Sequence, residues 1–273
     1  MAAITMNNRI GSVSSLTISN LTPTQICSEL AANSLQLSAL TVRDFGSSTT
    51  SIPFSPQCVM AVRVLLAQSQ QSLKKLTLYN ICQELRLDAL PMFTNLKELH
   101  LRIHSKQMLV LHGSSISSFP KLKKIRLDSL NGKITPKLIR EYFSGVDKSP
   151  WEAVDVLELD SYCDADAMKS LAEIFPRVSY VVLNYHTWGK IKREPNDVWL
   201  LEAFPLLSKL HIRNFPFRCD LMDTFLTGIP PKIASGLREV SKQALSPEMM
   251  QNLRGQGSIV QLKSKGNLCP NSS

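Results

Sequence analysis

The sequence has no uninterrupted apolar run close to the roughly 18 residues that a membrane-spanning helix requires. Residues 1–11 lack the apolar core of a secretory signal peptide. The six cysteines lie far apart and none forms a CxxC pair, so we expect reduced thiols, several of them buried. These absences predict an intracellular protein, cytoplasmic or nuclear, that is not associated with a membrane.

Catalytic motifs are also absent from the sequence. It contains no glycine-rich phosphate loop, no G-x-S-x-G nucleophile elbow and no kinase signature, and its five histidines form no HExxH pair. Asp155, Glu158 and Asp160 are close in sequence, but strand alternation would turn Asp155 to the other side. We therefore predict a protein that is not an enzyme and that binds no cofactor and no metal.

The formal net charge is +9, yet the basic residues do not form a single run. They are scattered, for example as Lys74-Lys75, as Lys123-Lys124 and within residues 190–193. This charge favours acidic partners and raises encounter rates with them, but it is not by itself a nucleic-acid signature. A basic nucleic-acid-binding protein is thus an alternative that the sequence does not favour, and its affinity would fall steeply with salt.

One six-residue phrase recurs along the chain: an apolar residue, two variable residues, then apolar, variable and apolar. Its clearest copy, LKELHL, occupies residues 96–101. The eight copies occupy residues 13–18, 37–42, 73–78, 96–101, 122–127, 154–159, 178–183 and 207–212. Alternation within the phrase has a period of two, which predicts a short strand in every copy.

Between copies the apolar residues take helical spacing, as in residues 57–68 and 167–175 and in the Leu138, Ile139, Tyr142, Phe143 face. Thr135-Pro136 is typical of an N-cap followed by proline at the first helical position, and Asp164 or Asp166 could cap the helix after it. A Phe-Pro dipeptide precedes three copies, at residues 119–120, 175–176 and 204–205. There we expect proline to end the preceding segment and the aromatic ring to pack under the turn into the next strand.

A single strand–turn–helix unit cannot bury its apolar face, so such units are expected to stack. The phrase and its spacing, over roughly residues 13–215, resemble those of leucine-rich repeat proteins. The resemblance implies an α/β solenoid, a curved horseshoe with a parallel sheet on the concave face and helices on the convex face. The asparagine or cysteine usual at the ninth position is mostly replaced by apolar residues such as Leu21 and Phe45, so looser turns are expected.

The resemblance implies four segments along the chain. They are a lead-in at residues 1–12, the solenoid at 13–235, degenerate terminal repeats or a cap at 236–265, and a flexible tail at 266–273. Near the end, residues 220–228 have helical spacing, and residues 236–240 and 259–262 could be terminal strands. The irregular, Phe-Pro-rich repeats are also similar to the substrate-binding repeats of F-box proteins, although residues 1–12 leave no room for the F-box itself.

In this arrangement the third, fifth and seventh positions of each copy point outward on the concave sheet. Arg and Tyr are common interface anchors, and solenoids often bind through this surface. The candidate partner-binding residues are Glu98, His100, Arg102, Lys124, Arg126, Asp128, Glu158, Asp160, Tyr180, Asn184, Lys209, His211 and Arg213, together with Trp188 in a basic insertion after the seventh copy. Val156 and Val182 are expected to form an exposed apolar spot among them.

Purely structural interpretations of the same residues are also open. Adjacent strands could pair charges only for solubility, as Arg126 with Glu158 or Arg102 with Asp128, and Trp188 could fold back over the core. The leading hypothesis is a monomeric protein–protein interaction module, which the F-box resemblance makes the substrate-recognition part of a ubiquitin ligase adaptor. Its partners would be a protein on the concave face and components of the ligase core. A second alternative is the recognition fragment of an immune-type receptor.

Overall fold

The computed structural model describes residues 13–19, 22–33, 35–43, 55–79, 92–103, 118–129, 132–143, 150–184, 202–213 and 239–241. Within these ranges the chain is an α/β protein. Its strands are β1 (Ser15–Ser19), β2 (Ala39–Arg43), β3 (Lys75–Tyr79), β4 (Glu98–Ile103), β5 (Lys124–Ser129), β6 (Lys133–Ile134), β7 (Val156–Leu159), β8 (Tyr162–Cys163), β9 (Tyr180–Asn184), β10 (Lys209–Arg213) and β11 (Glu239–Ser241). Its helices are α1 (Thr24–Ala32), α2 (Pro56–Gln68), α3 (Pro136–Phe143) and α4 (Ala165–Ile174).

Nine of these strands form one parallel sheet whose spatial order follows the chain, β1-β2-β3-β4-β5-β7-β9-β10-β11. β6 and β8 form a separate parallel pair. Each copy of the phrase becomes a strand that begins at its third position, and equivalent positions pair, as Leu40 with Leu76 and Leu76 with Leu99. The predicted strands and the parallel sheet are therefore confirmed.

The first two positions of the phrase form the turn into the strand. At the start of β4, the backbone N–H groups of Lys97 and Glu98 donate hydrogen bonds to the carbonyl of Lys74, at 2.8 and 3.0 Å. The same pair of hydrogen bonds recurs at the starts of β2, β3, β5, β7, β9 and β10; at β5, for example, the carbonyl of Lys97 accepts from Lys123 and Lys124. This repeated contact fixes the register between neighbouring strands, so equivalent side chains align across the sheet.

The apolar core lies between one face of the sheet and the four helices. The fourth and sixth positions of the phrase face it, as Leu99 and Leu101 in β4, and both side chains are buried. Helix α2 contributes Val62, Leu65 and Leu66 to the same core cluster. Alternate positions therefore face the other side, and we call the side that carries the third, fifth and seventh positions the polar face.

Helix starts follow the predicted capping residues. The Thr135 hydroxyl accepts a hydrogen bond from the Leu138 N–H at 3.3 Å, and Pro136 is the first residue of α3. At α4 the Asp164 carboxylate accepts from the Ala167 N–H at 3.0 Å, so Asp164 and not Asp166 is the cap. Helices α2, α3 and α4 were expected from sequence spacing, whereas α1 was not.

Aromatic side chains fill the turn before each central strand. Phe119, Phe175 and Phe204 of the three Phe-Pro dipeptides are buried, and each carbonyl accepts a hydrogen bond from the N–H three residues later, at 3.1 to 3.3 Å. Phe93 and Trp151 take the same place in the fourth and sixth copies. The predicted packing of the aromatic ring under the turn is confirmed.

Four of these rings pack one on the next through the core. Phe93 stacks on Phe119 with ring centroids 5.9 Å apart, Phe119 contacts Trp151 at 5.7 Å, and Trp151 contacts Phe175 at 6.0 Å. We call this set the aromatic column. Phe143 of α3 packs edge-on against both Trp151 and Phe175. Because each ring belongs to a different turn, the column ties successive turns together.

Three cysteines lie within the described residues, and all three are buried and unbridged. Cys27 of α1 and Cys58 of α2 approach each other, with 2.9 Å between their Sγ atoms, where the two helices pack. Burial, followed by this sulfur contact, raises the pKa of Cys27 to about 12. The prediction of reduced, buried thiols is confirmed for Cys27, Cys58 and Cys163.

Some predictions fall on other parts of the chain. The terminal strand expected at residues 236–240 overlaps β11, which begins at Glu239 and pairs with β10, while residues 236–238 lie outside the described residues. The helix at 220–228, the strand at 259–262, the lead-in at 1–12 and the tail at 266–273 lie outside the described residues. None of the helices in the described ranges combines the length and apolar character that crossing a bilayer would require.

Candidate partner-binding face

The polar face brings together most of the residues that the sequence selected. The register pairs His100 of β4 with Arg126 of β5, and Arg126 with Glu158 of β7. One position further along, Arg102 of β4 pairs with Asp128 of β5. Since neighbouring strands are ~4.8 Å apart, charged groups on adjacent strands meet directly. The centre of the face is therefore a contact network of charged groups from three strands.

Arg126 is the centre of this network. Its Nε donates to Asp160 Oδ2 at 2.6 Å, its Nη2 lies 2.5 Å from the same oxygen, and its Nε lies 3.5 Å from Glu158 Oε1. Lys124 Nζ lies 2.6 Å from Glu158 Oε2. Burial would lower the pKa of Arg126, but the hydrogen bond and charge of Asp160, with Glu158, raise it instead. Arg126 therefore stays charged and holds two carboxylates.

A second contact set extends the network toward β3. Nε and Nη2 of Arg102 each lie 2.6 Å from Asp128 Oδ2. The other oxygen of Asp128 accepts a hydrogen bond from the Ser161 hydroxyl at 2.9 Å, and that hydroxyl accepts from the Ser129 N–H at 2.7 Å. The Arg102 guanidinium carbon lies 4.6 Å from the centre of the Tyr79 ring, a cation–π contact. Ring and carboxylate together fix the direction of the guanidinium.

The six charged residues of the centre form what we call the ionic network: Arg102, Lys124, Arg126, Asp128, Glu158 and Asp160. Three cations balance three carboxylates, but the two signs are not equally exposed. The carboxylate side chains are only 1% to 9% exposed, whereas the cationic side chains are 31% to 35% exposed. Buried carboxylates are strongly destabilising without partners, so the cations above them are part of the folded structure.

His100 lies beside the network and is buried. Its Nδ1 is 3.1 Å from the Tyr79 hydroxyl, while its Nε2 has no hydrogen-bond partner and lies 4.0 Å from Asp160 Oδ2. Burial, then the nearby charges of Arg126 and Arg102, lowers the pKa of His100 to about 3. Asp160 does not reverse this, because its charge is already engaged by Arg126. The imidazole is therefore neutral near neutral pH.

Burial also raises the pKa of two neighbouring groups, Tyr79 and Asp160. It raises the pKa of Tyr79, although the charges of Arg126 and Arg102 act in the opposite direction. It raises the pKa of Asp160 as well, against hydrogen bonds from Arg126 and Asn184 that lower it. The hydrogen bond from Asn184 brings β9 into contact with the ionic network.

The remaining predicted residues lie around this centre. Glu98 of β4 pairs with Lys75 of β3 at 3.4 Å, with both side chains well exposed. Tyr180 of β9 is in register with Lys209 of β10, while His211 is in register with Val182. Arg213 closes β10 at the edge of the described segment, and Trp188 lies outside the described residues.

One expectation about the face is wrong. Val182 was expected to be exposed with Val156 as an apolar spot, but Val182 is buried and Val156 is half-buried. Val182 lies in register between Glu158 and His211, and the larger side chains on both sides leave it little access to solvent. Two charge pairs that the structural interpretation predicted are both present: Arg102 with Asp128, and Arg126 with Glu158.

The residues predicted from the sequence did not include three residues of this face: Tyr79, Ser161 and Lys75, which pairs with Glu98. Tyr79 occupies the seventh position of its copy, in the same row as Arg102 and Asp128, so the pattern itself could have included it. Ser161 follows the end of β7, beyond the phrase, and no sequence signal marks it. The described residues hold no group of three or more His, Cys, Asp or Glu side chains arranged to hold a metal ion.

Comparison with known proteins adds no assignment. A scan against protein-family models and a search of curated proteins both found no match to this chain.

Proposed function

We propose that the chain is a leucine-rich-repeat-like solenoid that acts as a protein–protein interaction module and binds its partner on the polar face. The observation that carries the proposal is the ionic network, where long cationic side chains reach solvent while buried carboxylates hold them in place. A rigid set of donors loses little conformational entropy when a partner binds, which favours affinity. The chain-ordered parallel sheet supports the repeat architecture, since stacked repeats place one strand beside the next.

We further propose that the partner is a substrate protein and that the module belongs to an F-box-type ubiquitin ligase adaptor. The support is the recurring buried Phe of the Phe-Pro turns, combined with irregular repeat lengths, which are features of that resemblance. A separate docking element would contact the ligase core. The recognition fragment of an immune-type receptor is the rival within the same architecture, and it would use the same face.

The experiment is affinity capture from cell extract with matched baits. Because Glu158 and Asp160 are buried, variants at the network centre would perturb folding, so exposed positions are preferable. The test variant is Lys75→Glu with Lys209→Glu on the polar face, and the control is Lys169→Glu on the exposed side of α4. We expect a protein captured by the wild type and the control but not by the test variant, together with ligase-core components.

The outcomes separate the parts of the proposal. Capture that depends on the face without ligase components would retain the interaction module and reject the ligase assignment. Equal capture by all three baits would reject the polar face as the binding surface. Recovery of nucleic acid, with affinity falling steeply as salt increases, would favour the basic nucleic-acid-binding alternative.

A further inference from the structure

We propose that the partner segment bound on the polar face between β3 and β7 is an extended acidic peptide, recognised by cations that lie above buried carboxylates of the protein itself. This inference rests on the proposed protein-binding function and specifies the chemistry of the partner. The observation that supports it is the layering of charge in the ionic network, in which the carboxylates are buried and the cations lie toward solvent.

The layering gives the solvent side of this region a cationic character although its charges balance. The cations that reach solvent are Lys75 of β3, whose side chain is 55% exposed, Arg102 of β4, and Lys124 and Arg126 of β5. These cations occupy three adjacent strands. Glu98, which pairs with Lys75, is the acidic side chain of this group that reaches solvent well. A partner approaching this part of the described sheet therefore meets mainly N–H donors.

The guanidinium geometry leaves donors for a second carboxylate. The contacts of Arg102 to Asp128 use Nε and Nη2, and those of Arg126 to Asp160 use the same two nitrogens. A guanidinium carries five N–H donors in a planar fork, so the Nη1 donors of both residues are not used in these contacts. Because one edge is already held by a buried carboxylate, the other edge is oriented before a ligand arrives. Preorganisation of this kind raises affinity by reducing the entropy lost on binding.

Extended peptide backbone fits the spacing of these cations. Alternate side chains of an extended segment project to the same side about 7 Å apart. Lys124 and Arg126 are two residues apart on β5, roughly 7 Å, and Arg102 of β4 is in register with Asp128, two residues further along. Glu98 lies between Lys75 and Lys124. Two or three acidic side chains at alternate positions can thus be held at once.

Charge balance favours acidic peptide over nucleic acid. Nucleic-acid binding derives much of its affinity from neutralising many phosphates and releasing their counterions. The ionic network has no net charge, so its field decays quickly with distance and offers little long-range attraction to a polyanion. Its donors act at hydrogen-bonding range, where a few correctly placed carboxylates suffice.

The test is fluorescence anisotropy with a labelled peptide of alternating Glu and Ser, an otherwise identical peptide of alternating Gln and Ser, and an oligothymidine of similar length. The variants are Lys75→Gln and Arg102→Lys, with Lys169→Gln on α4 as the control. Arg102→Lys keeps the charge beside Asp128 but removes the fork that would hold a second carboxylate. Thermal unfolding of each variant verifies that all are folded at the assay temperature.

We expect the wild type to bind the Glu peptide at least about tenfold more tightly than the Gln peptide, since charge-assisted bonds are stronger. Arg102→Lys should weaken binding of the Glu peptide roughly fivefold or more, whereas Lys169→Gln should leave it unchanged. Equal binding of the two peptides, equal effects of Arg102→Lys and Lys169→Gln, or tighter binding of the oligothymidine would each overturn the inference. If these assays fail while affinity capture still depends on the polar face, the interaction module stands and only the acidic partner is rejected.

Discussion

His100 gives the protein a specific dependence of stability on pH. The folded state holds this imidazole neutral, with a pKa of about 3 against an ordinary value of 6.5. The unfolded chain therefore binds more protons than the folded chain between these two values. The free energy of unfolding consequently decreases as the pH falls below 6.5 and continues to decrease until the pH approaches 3.

The size of the effect can be calculated from the two pKa values. At about pH 5 the unfolded imidazole is almost fully protonated and the folded one is almost fully neutral, so the loss is about 1.5 pH units times 1.36 kcal/mol, or about 2 kcal/mol. This figure depends mainly on the unfolded pKa, because any folded pKa below about 4 gives nearly the same loss at about pH 5. A loss of this size is a large part of the stability of a typical domain.

The assay is urea unfolding of the wild type and His100→Gln at about pH 7.5 and about pH 5. Glutamine can still form a hydrogen bond with the Tyr79 hydroxyl but does not titrate. We expect the wild type to lose about 2 kcal/mol more than His100→Gln on acidification. Lys169→Gln on the exposed side of α4 is the control and should retain the wild-type loss, because a lysine does not titrate in this pH range.

Two results would refute this reasoning. Equal losses in the wild type and His100→Gln would show that the folded and unfolded pKa values of His100 are the same. A wild type that becomes more stable relative to His100→Gln on acidification would show that the 4.0 Å approach to Asp160 dominates and raises the pKa of His100. The sign of the difference therefore distinguishes burial from ion pairing.

Three further predictions concern the core and its caps. Asp164→Ala should lower the free energy of unfolding by about 1 kcal/mol through loss of the α4 cap, whereas Asp166→Ala in the same turn should change it by less. Equal effects in urea unfolding would contradict this assignment of the cap. Phe175→Ala should lower it by about 3–5 kcal/mol because it opens a cavity in the aromatic column. A loss below about 1 kcal/mol would show that the aromatic column contributes little to the free energy of unfolding. Cys27 and Cys58 should react with a thiol reagent near pH 8 only on unfolding, as followed by mass spectrometry, since burial raises the pKa of Cys27 to about 12. Rapid labelling of the folded protein would contradict their burial.

Much of the fold is predictable because strand and core share one short pattern. The alternation in LKELHL selects Leu99 and Leu101 for the core and Glu98 and His100 for the other face, and the structure places all four accordingly. Local signals also give the start of α3, where Thr135 and Pro136 satisfy or remove free N–H groups. Helix α1 was not foreseen, although Cys27 and Leu30 form its buried side.

The strand pattern predicts which residues lie on the polar face, but it does not predict how deeply their side chains are buried. Outward positions of a strand are read as exposed, yet Glu158, Asp128 and His100 are buried there. Their burial depends on which long side chain lies across the strand, and this follows from the register of separate copies. Sequence alone also gives no account of Ser161, whose position after β7 is fixed by its bond to Asp128. The depth of each charge, which sets its pKa, is thus a tertiary property.

The chain-ordered sheet has a mechanical consequence. Its ladder hydrogen bonds run from one strand to the next, so a force applied between β1 and β11 would load them strand by strand. Each rupture would release one repeat, roughly 80 Å of extended chain for the interval that separates Leu16 from Leu40. The protein would then lengthen in steps at low force, and the spacing of the steps would record the length of each repeat.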